Sequence, residues 1–227
     1  MNQEELIEYY IQDLKSQVSF NGGITYQLKV RHPGNWVRLQ ETISTATMVL
    51  SNTDLWLWSD LHFFHKNVIK YSHRPFNDEF EMNTALVRNF NNLVSPNDVS
   101  LWVGDVGFGS DIEINRLLDQ CNGYKVLIIG NHDLNKGKLR HLKFNEIHVV
   151  YKLQYAGQDI VCSHYPLESV PDKFINIHGH IHASNPIVKD HINLSDRHIN
   201  VNCEFHNYMP IKLSSLLKMG HISSSSS

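Results

Sequence analysis

Cysteine is scarce in this chain: its 227 residues hold three, Cys121, Cys162 and Cys203, widely separated. An odd, dispersed set excludes a disulfide framework and a cysteine-built zinc module, and it suits a reducing compartment. Long apolar runs are also missing. Nothing approaches the roughly 18 to 20 residues needed to span a bilayer, and Glu4, Glu5 and Glu8 stand where a secretory leader would be basic. The expectation is a soluble, cytoplasmic protein with no membrane attachment. Nor is there an excess of positive charge, since 20 Lys and Arg face 23 Asp and Glu for a net charge of −3. Tight nonspecific binding to duplex DNA needs the opposite balance, so a small or locally contacted substrate is expected, and protein partners stay open. No internal repeat is visible, and the one low-complexity segment is the serine run at residues 223 to 227. What is abundant is histidine, with 15 copies.

Residues 3 to 16 put Leu6, Ile7, Tyr10, Ile11 and Leu14 on one helical face, and Asn21-Gly22-Gly23 ends that helix. Alternation over 24 to 31 and a return over 36 to 41 read as a hairpin, and 43 to 53 as a connection in which Met48-Val49-Leu50 could pack. Residues 1 to 53 therefore read as an accessory helix and hairpin. From 54 the texture becomes α/β. Strands are expected over 55 to 59, 99 to 103, 124 to 129, 159 to 162 and 174 to 177. Helices are expected over 78 to 94 and over 110 to 120, the second opened by a Ser110/Glu113 capping box. Residues 147 to 155 and 159 to 162, joined at 156 to 158, look like an antiparallel hairpin, which implies two sheets of mixed direction. A main domain is thus expected over 54 to 220, with a disordered tail at 221 to 227. Trp56 and Trp58 read as core.

Each of the five strands runs into metal-ligand chemistry: Asp60-Leu61-His62, Gly104-Asp105, Gly130-Asn131-His132-Asp133, Ser163-His164 and Gly179-His180-Ile181-His182. Ligands of α/β proteins gather at the carboxyl ends of strands, so these distant clusters are expected to meet. In extended backbone, residues i and i+2 share a side, so Asp60 with His62, and His180 with His182, would each offer two ligands. The glycines before Asp105, Asn131 and His180 permit unusual backbone angles and close approach. Carboxylate, amide oxygen and imidazole suit Mn²⁺, Fe²⁺ or Zn²⁺ better than Ca²⁺ or a thiolate-bound metal. Seven ligands exceed one tetrahedral shell, but a shared Asp105 divides them evenly. Asp60, His62, Asp105 and His182 would hold one ion; Asp105, Asn131, His164 and His180 would hold the other. Such a pair can clamp both oxygens of an in-line phosphoryl displacement.

In this order the motifs resemble the calcineurin-like metallophosphoesterase superfamily over roughly residues 54 to 213. Asp60-Leu61-His62-Phe63-Phe64-His65-Lys66-Asn67 with His73-Arg74-Pro75-Phe76 is similar to its small bacterial and phage members. The resemblance implies two facing mixed sheets flanked by helices, two divalent ions with Mn²⁺ first (Zn²⁺, Fe²⁺ and Ni²⁺ open), and hydrolysis by in-line attack of a hydroxide bridging the metals. It also implies that His132 is the family's catalytic histidine, over the substrate and not a ligand. Asp133 could fix the tautomer of His132 or cap the following turn. His65 reads as a support behind the metal ligands, a phosphate contact or a solvated loop residue, and Arg74 as a phosphate clamp or a loop anchor. His178 reads as the buried end of its strand. The substrate favoured is a small or nucleotide-type phosphodiester. A phosphomonoesterase or nucleotidase is the alternative, as is a single-strand nuclease using Lys29, Arg31, Trp36 and Arg38. A non-enzymatic scaffold is disfavoured because no ligand is missing.

Overall fold

The computed structural model describes residues 47–49, 55–133, 141–167, 170, 172–184 and 194–223. The expected helix and hairpin before residue 47 lie outside them. β1 (Thr47–Val49) leads to β2 (Leu55–Trp58), a strand apolar and buried at every position, as a strand covered on both faces must be. β2, β3 (Val99–Val103), β4 (Tyr124–Ile128) and β5 (Glu146–His148) pair in parallel, and β10 (Ile211–Lys212) adds antiparallel to β2, giving the order β10-β2-β3-β4-β5. The second sheet holds β6 (Val150–Tyr155), β7 (Gln158–Ser163), β8 (Phe174–His178) and β9 (His198–Asn200), with β1 at its edge: β1-β6-β7-β8-β9. Only its β6–β7 pair is antiparallel, a hairpin turned at Ala156-Gly157 with φ positive at both residues.

Period-2 alternation sorts the side chains into layers. Leu55, Leu57, Leu101 and Val103 of the first sheet meet Leu153, Ile160, Cys162 and Ile177 of the second, so the two mixed sheets face each other across one apolar layer. The first sheet turns Trp56, Trp58 and Trp102 outward onto Leu86 and Phe90 of a helix over Glu79–Asn91 and onto Ile114 and Leu118 of another over Asp111–Leu118. With a short helix α1 over Lys66–Tyr71, these become α2 and α3; the C-terminal helix, Leu213–Ser223, is α4. Asp78 caps α2 by accepting from the Phe80 and Glu81 amides, and the Ser110/Glu113 capping box opens α3. Trp58 stacks on Phe90 at 4.7 Å and meets Trp102 edge-on at 4.8 Å. Both Trp56 and Trp58 are core.

Four expectations change. The stretch 147 to 155 is not one strand: the chain leaves the first sheet after His148 and enters the second at Val150. The connection expected over 43 to 53 contains β1, which pairs in parallel with β6. The tail expected from 221 is helical through Ser223, and α1 was not anticipated. Among the described residues, no helix is long and apolar enough to cross a membrane.

Candidate functional site

Because β2, β3 and β4 are parallel, as are β7 and β8, their carboxyl ends deliver Asp60, Asp105, Asn131, His164 and His180 to one region. The backbone there is not extended, contrary to the i, i+2 expectation. Asp60, His62, Asp105 and His180 all have φ between 54° and 67°, a left-handed conformation costing about 1–3 kcal/mol each for a non-glycine residue. Tertiary hydrogen bonds hold them there: Asp60 N to Gly104 O at 3.0 Å, His62 N to Asp105 O at 3.0 Å, and His180 N to Asp60 Oδ2 at 3.0 Å. Gly104 itself has φ +84°, and a Cβ on it would enter the His164 ring. A Cβ on Gly179 would lie 2.5 Å from both the Asp60 carboxylate and the Ser59 hydroxyl. Bare backbone is therefore required at both places.

Two groups of ligand atoms result, Asp60 with His62 and His182, and Asp105 with His164 and His180; within each group the atoms lie within 4.8 Å of one another. Asp105 sits between them, its Oδ2 3.8 Å from His62 Nε2 and 3.4 Å from His164 Nε2. Asn131 Oδ1 is 3.1 Å from His164 Nε2, on the side of the second group. The ring hydrogen bonds suit cation binding. His164 Nδ1 donates to Val103 O at 2.8 Å and His182 Nδ1 to Glu204 Oε1 at 2.8 Å, so both rings turn Nε2 toward the centre, as in metal-ligating histidines. His62 Nε2 and His182 Nε2 are 3.2 Å apart, less than twice the roughly 2.1 Å metal–nitrogen distance, so one ion can touch both.

The electrostatics of the cluster's own side chains point the same way. Burial raises the Asp60 pKa and the nearby charge of Asp105 adds to the shift. Burial opposes charge on His164, but the Asp105 carboxylate outweighs it and holds the imidazole at about 10, while Asp105 is lowered in return. Burial keeps His62 and His180 neutral, the latter at about 3. A pair of buried carboxylates among imidazoles is a donor set that divalent cations satisfy.

His132 differs from the seven candidate ligands. Its side chain is 38% exposed, with Nε2 3.9 Å from Asp105 Oδ2, and its backbone N donates to Asp105 Oδ1 at 2.9 Å. It therefore stands at the mouth of the cluster, packed against Phe108 at 4.7 Å. His65 stacks on the other side of this rim, 3.9 Å from the Phe108 ring. No hydrogen bond joins Asp133 to the His132 ring among the described residues, and the turn it was expected to cap lies in residues 134 to 140, outside them. Its buried carboxylate accepts from the backbone amides of Asp105 (2.9 Å), Val106 (2.8 Å) and Gly130 (2.8 Å), tying two ligand loops together. Arg74 does not face the substrate region. It is buried, and its five N–H groups are spent on Leu61 O, Asp60 O, Met82 Sδ and the Glu204 carboxylate. The geometry is that of the loop anchor, with no donor left for phosphate. His178 is buried, as expected for a strand end.

Three residues of this region escaped sequence reasoning: Glu204, Phe108 and Tyr165, whose ring lies 4.3 Å from that of His180. None stands in a ligand motif, and Glu204 is 22 residues past His182 with no local pattern to mark it.

Comparison with known proteins gives concordant results. The family described as calcineurin-like phosphoesterase matches residues 54–218. An uncharacterised protein of Methanocaldococcus jannaschii is 36% identical over 174 residues, spanning 75% of this chain and 93% of that protein. A crystal structure of a protein of unknown function from Aquifex aeolicus superposes with a TM-score of 0.57 at 28% identity, covering 74% of this chain and all of that one.

Proposed function

The chain belongs to the calcineurin-like phosphoesterase family, and on that premise we propose that it is a phosphoesterase working with two divalent ions on small phosphodiesters. The observation that carries this reading is the placement of Asp105 between two groups of ligand atoms, 3.8 Å from one and 3.4 Å from the other. Asp60, His62, Asp105 and His182 would hold one ion, and Asp105, Asn131, His164 and His180 the other, with Mn²⁺ the first choice and Zn²⁺, Fe²⁺ and Ni²⁺ compatible. When bound, divalent ions supply positive charge to the phosphoryl oxygens and lower the pKa of a coordinated water. His132, the exposed imidazole at the mouth, donates a hydrogen bond to a phosphoryl oxygen and passes a proton to the departing alkoxide. Its amide bond to Asp105 fixes its loop relative to the ligands. Asp133 keeps the Asp105 and Gly130 loops in register. His65 and Phe108 form the wall against which a leaving group lies. No covalent intermediate on the chain is required.

The test is hydrolysis of a bis-ester and a mono-ester chromogenic phosphate, and of a nucleotide panel, in Mn²⁺, Ni²⁺, Zn²⁺ and Mg²⁺. Faster turnover of the bis-ester is expected. Preference for the mono-ester would replace the diesterase reading with that of a phosphatase or nucleotidase. Inactivity in every metal would overturn the proposal. The single-strand nuclease alternative invokes Lys29, Arg31, Trp36 and Arg38, all outside the described residues.

A further inference from the structure

His182 is the most exposed of the four candidate ligands of the first ion. It lies on the loop after β8, at 20% side-chain exposure against 0% for Asp60 and 3% for His62. His62, its partner on the same ion, leaves Nδ1 without a hydrogen-bond partner among the described residues. Between these two imidazoles, only His182 therefore has its tautomer fixed from outside, and of the two groups at its Nδ1 the Glu204 carboxylate, at 2.8 Å, is nearer than the Ser72 hydroxyl, at 3.2 Å. Glu204 Oε1 accepts from His182 Nδ1 at 2.8 Å, and Oε2 accepts from the Ala183 amide at 3.0 Å, so one carboxylate holds both the ring and its backbone. Its other partner is Arg74, whose Nε and Nη2 reach Oε1 at 3.0 and 2.8 Å. The same guanidinium donates to Leu61 O at 2.9 Å and Asp60 O at 2.7 Å. The pair thus joins the two loops that carry the first ion's ligands, although Arg74 and Glu204 are 130 residues apart.

Both charges are almost fully buried, with side-chain exposures of 0% and 2%. A buried ion pair contributes little net stability compared with an apolar pair of the same volume, so stability alone does not account for it. Orienting a ligand does, because a carboxylate on the far nitrogen of a metal-bound imidazole fixes its tautomer and raises its basicity. The second site is built differently, since His164 Nδ1 donates to the neutral Val103 carbonyl.

We propose that Glu204, held by Arg74, is the positioning residue of His182 and sets the affinity of the Asp60–His62–His182 site for its divalent ion, leaving the Asp105–His164–His180 site to its own supports. The proposal rests on the two-ion reading above, and its test separates the two. The metal-free full chain is titrated with Mn²⁺, with free Mn²⁺ followed by electron paramagnetic resonance. The parent protein should bind two ions. Glu204→Gln, which keeps size and removes charge, should weaken one of them about 10- to 100-fold and leave the other unchanged. His182→Ala should lose the same ion, and adding Glu204→Gln to it should weaken binding no further. That non-additivity is the mark of an effect routed through His182. Both ions held as in the parent, both weakened alike, or additive losses in the double variant would overturn the inference. A parent that binds fewer than two ions would instead overturn the two-ion reading. Should Glu204→Gln not fold, NMR of the Zn²⁺-loaded parent decides. A strongly deshielded His182 Nδ1 proton is expected, and a freely exchanging one would reject the proposal.

Discussion

At pH 7 the metal-free centre holds protons that a cation must displace. His164 is kept at about 10 by the Asp105 and Asp60 carboxylates and the Val103 carbonyl, against the effect of burial. His182 is also raised, because its bond to Glu204 and the charge of Asp60 outweigh its burial. His62 and His180, lowered by burial, have none to give. Metal uptake at neutral pH should therefore release protons, and affinity should fall as pH falls, because a group with a raised pKa competes harder for protons the further the pH lies below that pKa. Calorimetry in two buffers of different ionisation enthalpy measures the release, and identical heats would contradict it. His132 is a different case, exposed and outside both ligand groups. His132→Ala should retain both metals by elemental analysis while kcat drops about 10²- to 10⁴-fold, the range for a positioned acid. Asp105→Ala should lose metal instead. Near-native turnover in both would refute the division of roles.

Strand ends and the loops beyond them do the positioning, and their tolerances are tight. Gly179→Ala puts a methyl group 2.5 Å from the Asp60 carboxylate, an overpacking worth about 1–3 kcal/mol at a ligand of the first ion. The variant should lose occupancy of that ion and melt lower when metal-free, and an unchanged melting temperature with full occupancy would show that the loop has room. Much of this level was legible beforehand. The five ligand-bearing strands came out within a residue of their expected bounds because short β-branched and aromatic runs between turn residues have few other solutions. Both long helices were readable, the first from its apolar face over 78 to 94 and the second from the Ser110/Glu113 box. What failed was tertiary in origin. Nothing local shows that 147 to 155 changes sheets at Val149, that Thr47–Val49 finds an edge beside β6, or that six residues after His65 form a helix. The candidate ligands stood out because their types and order are distinctive, yet the left-handed backbone of Asp60, His62, Asp105 and His180 did not, since φ at Asp60 is set by a bond to Gly104 across the sheet. Arg74 left two readings open because burial decides between phosphate and Glu204, and burial is not a property of a motif.

For the whole molecule, the sheet arrangement fixes where the catalytic unit can be trimmed. β1 pairs with Lys152, Leu153 and Gln154 of β6, so a chain starting at 54 exposes an edge that a chain starting at 47 keeps covered. At about 0.5–1.5 kcal/mol per lost hydrogen bond, the shorter chain should melt several degrees below the longer one; equal melting would mean that β1 adds nothing. Charge at the same scale bears on the substrate. The centre included, residues 54 to 227 hold 16 basic and 18 acidic side chains with no Lys/Arg run longer than two. The buried arginine among the described residues, Arg74, is already committed to Glu204 and two backbone carbonyls. A protein that neutralises 6 to 10 duplex phosphates needs a coherent basic surface and loses affinity steeply with salt. Two divalent ions instead concentrate about four positive charges on one phosphoryl group, which favours substrates presenting one such group at an accessible position. Hydrolysis of small diesters should accordingly change little between 50 and 200 mM salt, whereas cutting of blunt duplex DNA should be slow at both. Rapid duplex cutting that collapses over that salt range, without turnover of small diesters, would require a phosphate-tracking surface and would reverse this reading.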